Sequence, residues 1–340
     1  MREPPSFTRI KSEWTAADRR GAVRCRMGKF RMRYRVEPGL YALERPGEDS
    51  PVLVTASYRL GFDMLRKDLR GVPCWILVLD TGGINVWCAA GAGTFSTEEL
   101  VARVAKSRLS EVVRHRTLIV PQLGATGVSA ALVEKHAGFG VRFGPVRSSD
   151  LPGYLSRDCT ATAPMRAVSF TTLDRLTLVP MEIGQSLMRF PAFAFVALIF
   201  AGLGPGGVSL GRALNDGWPL LALGLGSILA GSALVPLLLP WIPLRAFSAR
   251  GWVIGAGVTA ALLHAAGLAA GMDPFRLAGC WLFFPAASAS MVLLFTGATP
   301  FTSHAGVRRE IRWFLPFAAA AALLTAAALT LSKLRQMGAL

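Results

Sequence analysis

The sequence contains no C-x-x-C or C-x-x-H spacing, and its five cysteines (Cys25, Cys74, Cys88, Cys159 and Cys280) are odd in number and widely scattered. That pattern argues against a disulfide framework, a zinc site or an iron–sulfur cluster held by this chain. A reducing cytoplasm is the simpler setting. The sequence also lacks a signal peptide. Residues 1–35 hold eleven Lys or Arg against Glu3, Glu13 and Asp18, and no apolar stretch follows them. Residues 1–33 therefore read as a basic tail, either solvated or attracted to anionic lipid headgroups. No aromatic–basic motif of a nucleic-acid module accompanies the charge, so nucleic acid is not an expected partner. Acidic residues are few, 21 against 37 Lys and Arg, and only three of them lie beyond Arg189.

Overall the chain is 52% hydrophobic yet carries a formal charge of +16. The two properties separate along its length. The first 189 residues hold 28 of the basic and 18 of the acidic residues. The remainder is apolar. Five stretches, about 190–206, 217–240, 251–271, 276–297 and 313–331, each approach the ~20 residues a helix needs to cross a bilayer. Their Ala, Gly and Leu suit close packing in lipid. Arg245, Arg250, Arg308, Arg309 and Arg312 occupy alternate connections, which places those loops and the soluble part in the cytoplasm and a fifth crossing's C-terminus outside. His264 is the only ionisable side chain deep in an apolar run, so an anchor or scaffold is expected rather than a transporter.

In the soluble half, residues 51–57, 73–81, 117–122 and 141–146 read as strands. Helical spacing covers 58–70 and 127–137, and Ser96 to Glu99 predicts a capping box opening a helix to about Arg114. Strands alternating with helices imply an α/β domain with a parallel, Rossmann-like sheet. Ligands of such sheets bind beyond the strand C-termini, here the loops Thr55–Ser57, Gly82–Thr94, Gln122–Thr126 and Gly144–Asp150. The second loop sets Trp87 and Cys88 among small residues. Glycines admit close backbone approach, and Asn85 can bond its own backbone. A thiol just ahead of a helix is favoured as the thiolate, a soft ligand for a late transition metal. From spacing alone, Cys88 reads equally as a small buried hydrophobe.

The run INVWCAAGAGTF resembles the cap motif N-(V/I)-W-C-A-(A/G)-G-K of the mercury-methylation corrinoid protein family, HgcA. Residues 34–56, 122–128, 144–155, 174–180 and 295–312 also look like segments of that family, in the same order. Its layout is a corrinoid domain followed by five membrane helices. The related corrinoid iron–sulfur protein of acetyl-CoA synthesis shares the domain but lacks the Cys and adds a cluster domain.

The resemblance implies a corrinoid-binding domain over 34–160, a linker over 161–189 and an all-α domain of five membrane helices over 190–340. The chain would be a multi-pass protein of the inner membrane. A base-off, cobalamin-type corrinoid would have Cys88 as its cobalt ligand and catalytic residue. Asn85, Val86, Trp87, Ala89, Ala90, Gly91, Gly93 and Thr94 would be cofactor contacts. Thr55, Gln122, Gly124, Gly144 and Pro145 at the other strand ends would contact it too. The implied activity is corrinoid-dependent methyl transfer, with Hg(II) methylated by a Cys-ligated methylcobalt centre. A ferredoxin-like iron–sulfur protein would be the reductant, since no cluster is encoded here, and a methyltetrahydrofolate-linked system the methyl donor. One position departs: the family's Lys is Ala92, which deletes a positive charge beside the thiolate. That change motivates a second expectation, a membrane-anchored methyl carrier with another acceptor in one-carbon metabolism or another metal or metalloid. A third expectation is a non-enzymatic membrane scaffold or sensor.

Overall fold

A computed structural model describes residues 5–27, 29–295, 301–302 and 304–338. Part of the 295–312 segment lies outside that range. The chain divides into two compact units, Met1–Ser169 and Phe170–Leu340.

The first unit is built on a six-stranded sheet. In chain order its elements are β1 (Thr8–Ile10), α1 (Ala16–Cys25), β2 (Gly39–Leu43), β3 (Val52–Ala56), α2 (Arg59–Asp68), β4 (Cys74–Leu79), α3 (Val86–Ala92), α4 (Thr97–Lys106), β5 (Thr117–Val120), α5 (Ala130–Ala137), β6 (Gly140–Phe143), α6 (Leu151–Leu155) and α7 (Ala163–Arg166). The strand order is β1-β2-β4-β3-β5-β6. The four strands expected from the sequence are present and mutually parallel. The sheet as a whole is mixed, because β2 runs antiparallel to β4. β2 escapes a pattern search: its sequence, Gly-Leu-Tyr-Ala-Leu, has no β-branched residue.

Alternation along the strands builds two cores. Val52, Val54 and Ala56 of β3 join Leu77 and Leu79 of β4 against Leu100, Val104 and Val133 of α4 and α5. Leu53, Ile76 and Val78 face the other way, onto Phe62 and Leu65 of α2 and Tyr154 of α6. The chain moves from β3 one way to β4 and then crosses to β5 on the other side of β3. The crevice between β3 and β5 is thus the topological switch point, where open α/β sheets place ligands.

Three local expectations change. The stretch from Gly82 to Thr94 is not all loop, because Val86–Ala92 is helical. α4 ends at Lys106 rather than near Arg114, and Arg108 adopts a left-handed conformation with φ 49°. The capping box is half formed. The Ser96 hydroxyl accepts the Glu99 amide at 3.3 Å, but the Glu99 carboxylate accepts from the Asp80 amide at 2.8 Å and pairs with Arg103 at 2.7 Å.

Residues 8–25, expected within a basic tail, carry β1 and α1. β1 extends the sheet beside β2. α1 is held to α2 by a charge cluster. Asp18 pairs with Arg59 at 3.1 Å and Arg66 at 2.8 Å, and Asp63 pairs with the same two arginines at 3.0 and 2.8 Å. Arg66 also donates to the carbonyls of Lys11 and Glu13, and the Trp14 indole donates to that of Asp63. Composition could not reveal this, because the arginines are visible in sequence but their carboxylate partners on another helix are not.

The second unit is helical. α8 (Thr172–Leu187) fills most of the stretch expected as a linker, because Thr171 and Asp174 form a capping box. It meets α9 (Phe190–Gly202) at a 43° bend. α10 (Leu210–Leu229) passes through a π turn at Ala230–Leu234 into α11 (Val235–Leu238). α12 (Phe247–Ala260) ends in a second π turn, Ala261–Ala265, and α13 (Pro274–Phe295) and α14 (His304–Gln336) follow.

Each of the five apolar stretches contains a helix, but they do not make five full spans. Among the described residues, three helices are long and apolar enough to cross a membrane, or four if the bent pair α8–α9 is one span. α9 alone has 13 residues, about 20 Å at 1.5 Å per residue, short of a ~30 Å hydrocarbon layer. α12 and α13 touch through small residues. A Cβ on Gly251 would lie 2.6 Å from the Ala289 backbone, and one on Gly255 2.6 Å from the Ser288 side chain.

Burial alone would raise the Asp18 carboxyl. Hydrogen bonds from the Thr15 amide and hydroxyl and from Arg66 outweigh it, lowering the pKa from 3.8 to about 2. A depressed folded-state pKa adds stability that is complete above the unfolded value and disappears as pH falls through about 2. Asp18→Asn is therefore expected to destabilise the α1 contact by about 2 kcal/mol at pH 7. Amide exchange in α1 should show this gap narrowing below pH 4.

Candidate functional site

A buried serine at the end of β3 organises the site. The Ser57 hydroxyl accepts the amides of Thr81 at 3.1 Å and Gly83 at 3.0 Å and lies 3.2 Å from the Thr81 hydroxyl. The Thr81 hydroxyl donates onward to the Ile84 carbonyl at 2.7 Å. Since that proton is committed, Ser57 donates to Thr81. Gly82 and Gly83 both have positive φ, 63° and 79°, which a residue with a Cβ adopts at a cost. The turn thus leaves β4, bends back to β3 and delivers Asn85 as the N-cap of α3. The Asn85 side chain accepts the Cys88 amide at 2.9 Å. Gly93, at φ 80°, ends the helix.

α3 has an inner and an outer side. Ala89 and Ala90 are buried in the core, while Trp87, Cys88, Gly91, Gly93 and Thr94 are exposed. Cys88 therefore lies within the first turn of this short helix rather than ahead of α4, and it is the exposed member of the five cysteines. The floor beneath α3 is close-fitting. A Cβ on Gly127 would come within 2.1 Å of the Phe95 carbonyl oxygen, and one on Gly124 within 2.6 Å of the Phe95 ring.

Beside α3, at the switch point, is a cavity of about 310 Å³. Its walls include the strand residues Thr55 and Ile119, the loop residues Pro121, Gly144 and Pro145, and Asn85, Val86 and Trp87 from α3. Six of the expected contacts thus meet around one space: Thr55, Asn85, Val86, Trp87, Gly144 and Pro145. Cys88 adjoins it on the exposed turn. Ala89, Ala90 and Gly124 face protein packing instead. Gln122 does not line the cavity either; its side-chain oxygen accepts from Arg166 at 3.2 Å.

Sequence reasoning did not single out Tyr58, Leu123, Val146, Ser148 or Leu151, which also line it. Val146 and Ser148 lie in a strand-end loop that was flagged as a whole. Tyr58 directly follows another, and only its partners mark it out. Its hydroxyl is 3.5 Å from the Cys25 sulfur, and burial, with that hydrogen bond adding to it, pushes the phenol above its usual value. Among the described residues no three His, Cys, Asp or Glu side chains gather as a metal-binding group.

Residues 29–155, which contain all of these cavity and α3 residues, match the family model described as CO dehydrogenase/acetyl-CoA synthase delta subunit. Curated relatives match a stretch of similar length. The acetyl-CoA decarbonylase/synthase complex subunit gamma of Methanopyrus kandleri is 36% identical over 125 residues, covering 36% of this chain and 27% of the relative. That of Archaeoglobus fulgidus is 34% identical over 125 residues, covering 36% and 26%. Subunit gamma 2 of Methanosarcina thermophila is 35% identical over 127 residues, covering 36% and 27%. The chain thus spans about a quarter of the length of these relatives.

Two outcomes test this geometry. Under native conditions a maleimide should modify Cys88 well before buried Cys74, whose thiol burial pushes up to about 12, as read by mass spectrometry of the alkylated peptides. Gly127→Ala should cost about 3 kcal/mol, because its new Cβ meets backbone rather than a mobile side chain, as read by denaturant unfolding.

Proposed function

We propose that the N-terminal unit holds a base-off corrinoid, that Cys88 would be the residue that binds its cobalt, and that the chain transfers a methyl group to Hg(II). The observation that carries this reading is the exposed Cys88 thiol, fixed by the Asn85 cap beside a switch-point cavity, within a segment similar to acetyl-CoA synthase and decarbonylase/synthase subunits.

The residues suit such a group. A thiol is a soft donor for a late transition metal. Trp87 offers an exposed apolar ring, and Gly91 leaves the backbone approachable. A cavity of about 310 Å³ is too small to enclose a macrocycle but suits a pendant arm such as a displaced lower base.

A bound corrinoid supplies a cobalt ion able to accept and release a methyl group. The protein's part is to tune and position it. Cys88 would hold the metal through its sulfur, and a thiolate there would supply electron density that favours methyl transfer to an electrophilic ion. Asn85 holds the Cys88 backbone, and the Ser57–Thr81 bonds hold Asn85's turn, so the sulfur is presented without reorganisation. A ferredoxin-like protein would restore the reduced metal, and a methyltetrahydrofolate-linked system would supply the methyl group.

Ala92 favours a second reading of the acceptor. It is exposed on the last turn of α3, where the cap motif carries Lys, so the positive charge beside the thiolate is absent. The same site would then serve as a methyl carrier for another electrophile. In either reading the second unit sits in the inner membrane, with the first unit on the cytoplasmic side.

The test is to load the full chain with cobalamin and record its absorbance with and without Cys88→Ala. The substitution should abolish the thiolate-dependent spectrum and lower Hg(II) methylation at least about a hundredfold, the scale of losing one tuning group. An unchanged spectrum would overturn Cys88 ligation. Intact ligation without methylmercury would favour the second acceptor.

A further inference from the structure

The C-terminal unit contains its own cavity, about 340 Å³, between α9, α10, α13 and α14. Its walls include Phe193, Phe200, Phe283 and Leu329. The hydroxyls that reach it are already committed. Thr325 donates to the Gly279 carbonyl at 3.5 Å and Thr330 to the Ala326 carbonyl at 2.8 Å. Such a space suits an apolar occupant rather than a polar solute.

Charge lies at one end of it. Lys333 follows Leu329 by four residues and Thr330 by three, so it shares their helix face. Its ammonium donates to the carbonyls of Ala201 at 2.9 Å and Leu203 at 3.2 Å and sits 5.5 Å from the ring centre of Phe200, a wall of the cavity. Arg212 is packed against Gly204, one residue beyond Leu203. The guanidinium of Arg276, in the first turn of α13, donates to the Asp216 carbonyl. Asp273 is engaged by Ser332 and by the amides that open α13. Among the described residues, none of these three cations has a carboxylate within ion-pair distance. Three cations therefore gather near one end of an apolar cavity, with Asp216 and Asp273 acting on Lys333 only from beyond ion-pair distance, which leaves the group with one positive charge in excess.

We propose that this unit binds one anionic phospholipid, an acyl chain in the cavity and the phosphate at Lys333, Arg212 and Arg276. Cation and apolar wall share one end of the unit, which fits a lipid with a net negative head and disfavours a zwitterionic one, whose own ammonium is brought against the protein's cations. The site would tie the packing of α9, α13 and α14 to lipid composition.

The inference rests on the membrane placement of this unit, and carbonate extraction of membranes tests that placement separately. Release of the chain by carbonate would overturn both. For the site itself, the full chain in detergent is titrated with phosphatidylglycerol or phosphatidylcholine and examined by native mass spectrometry. One phosphatidylglycerol should be retained per chain where phosphatidylcholine is lost. Lys333→Gln should lower that retention about fivefold and remove most of the preference, about 1 kcal/mol per basic residue. Gly279→Leu, whose side chain grows toward Leu329, should weaken retention of both lipids. Equal retention of the two lipids, or an unchanged preference in Lys333→Gln, would overturn the proposal in a chain that stays membrane-bound.

Discussion

The hydroxyl of Ser57 holds the candidate site together. It stands at the end of β3, buried, and accepts two amides from the turn that follows β4 while donating to the hydroxyl of Thr81 there. Without it the Thr81 and Gly83 amides would be buried without partners, a cost of about 1–3 kcal/mol each. Everything outward inherits its position from this point: the left-handed glycines, the Asn85 cap, the first turn of α3 and the Cys88 thiol. The sulfur is exposed, but its foundations are not. A reactive group on a short helix is thereby fixed to a sheet rather than to a flexible loop.

The parallel strands and flanking helices were legible because their hydrophobic runs and capping residues follow simple periods. The α3 turn was legible as a special segment but not as a helix, since Val86–Ala92 is too short and too rich in Ala and Gly to show a period. The division of its residues into cavity wall, exposed rim and buried backing needed coordinates. Ala89 and Trp87 are near neighbours in sequence yet point to opposite environments. Gln122 and Gly124 illustrate the same limit. Both lie in a strand-end loop, where ligands are expected, and both are consumed by internal contacts. Tyr58 shows the converse, because its role at the cavity depends on Cys25, 33 residues away.

In the second half, composition identified apolar helices but overstated how many are full spans. Hydropathy registers a run of residues, not the bend between α8 and α9 or the π turns that end α12 and interrupt α10. These breaks fall where small residues and proline loosen the helix ladder. Close approach of α12 to α13 depends on Gly251 and Gly255, whose spacing of four places both on one face. The net positive charge of the first 189 residues is likewise not uniform. Part of it, at Arg59 and Arg66, is neutralised internally by Asp18 and Asp63.

That internal neutralisation has a consequence for synthesis. The arm bearing β1 and α1 leaves the ribosome before α2, and the carboxylate and guanidinium groups that receive it are at residues 59 to 66. Glu13 meets Arg66 across 53 positions of chain. The entropy of closing that loop is lost before any of the contacts form. An arm made before its partners is therefore among the later segments to settle, and a nascent chain halted before α2 carries that arginine-rich arm unneutralised.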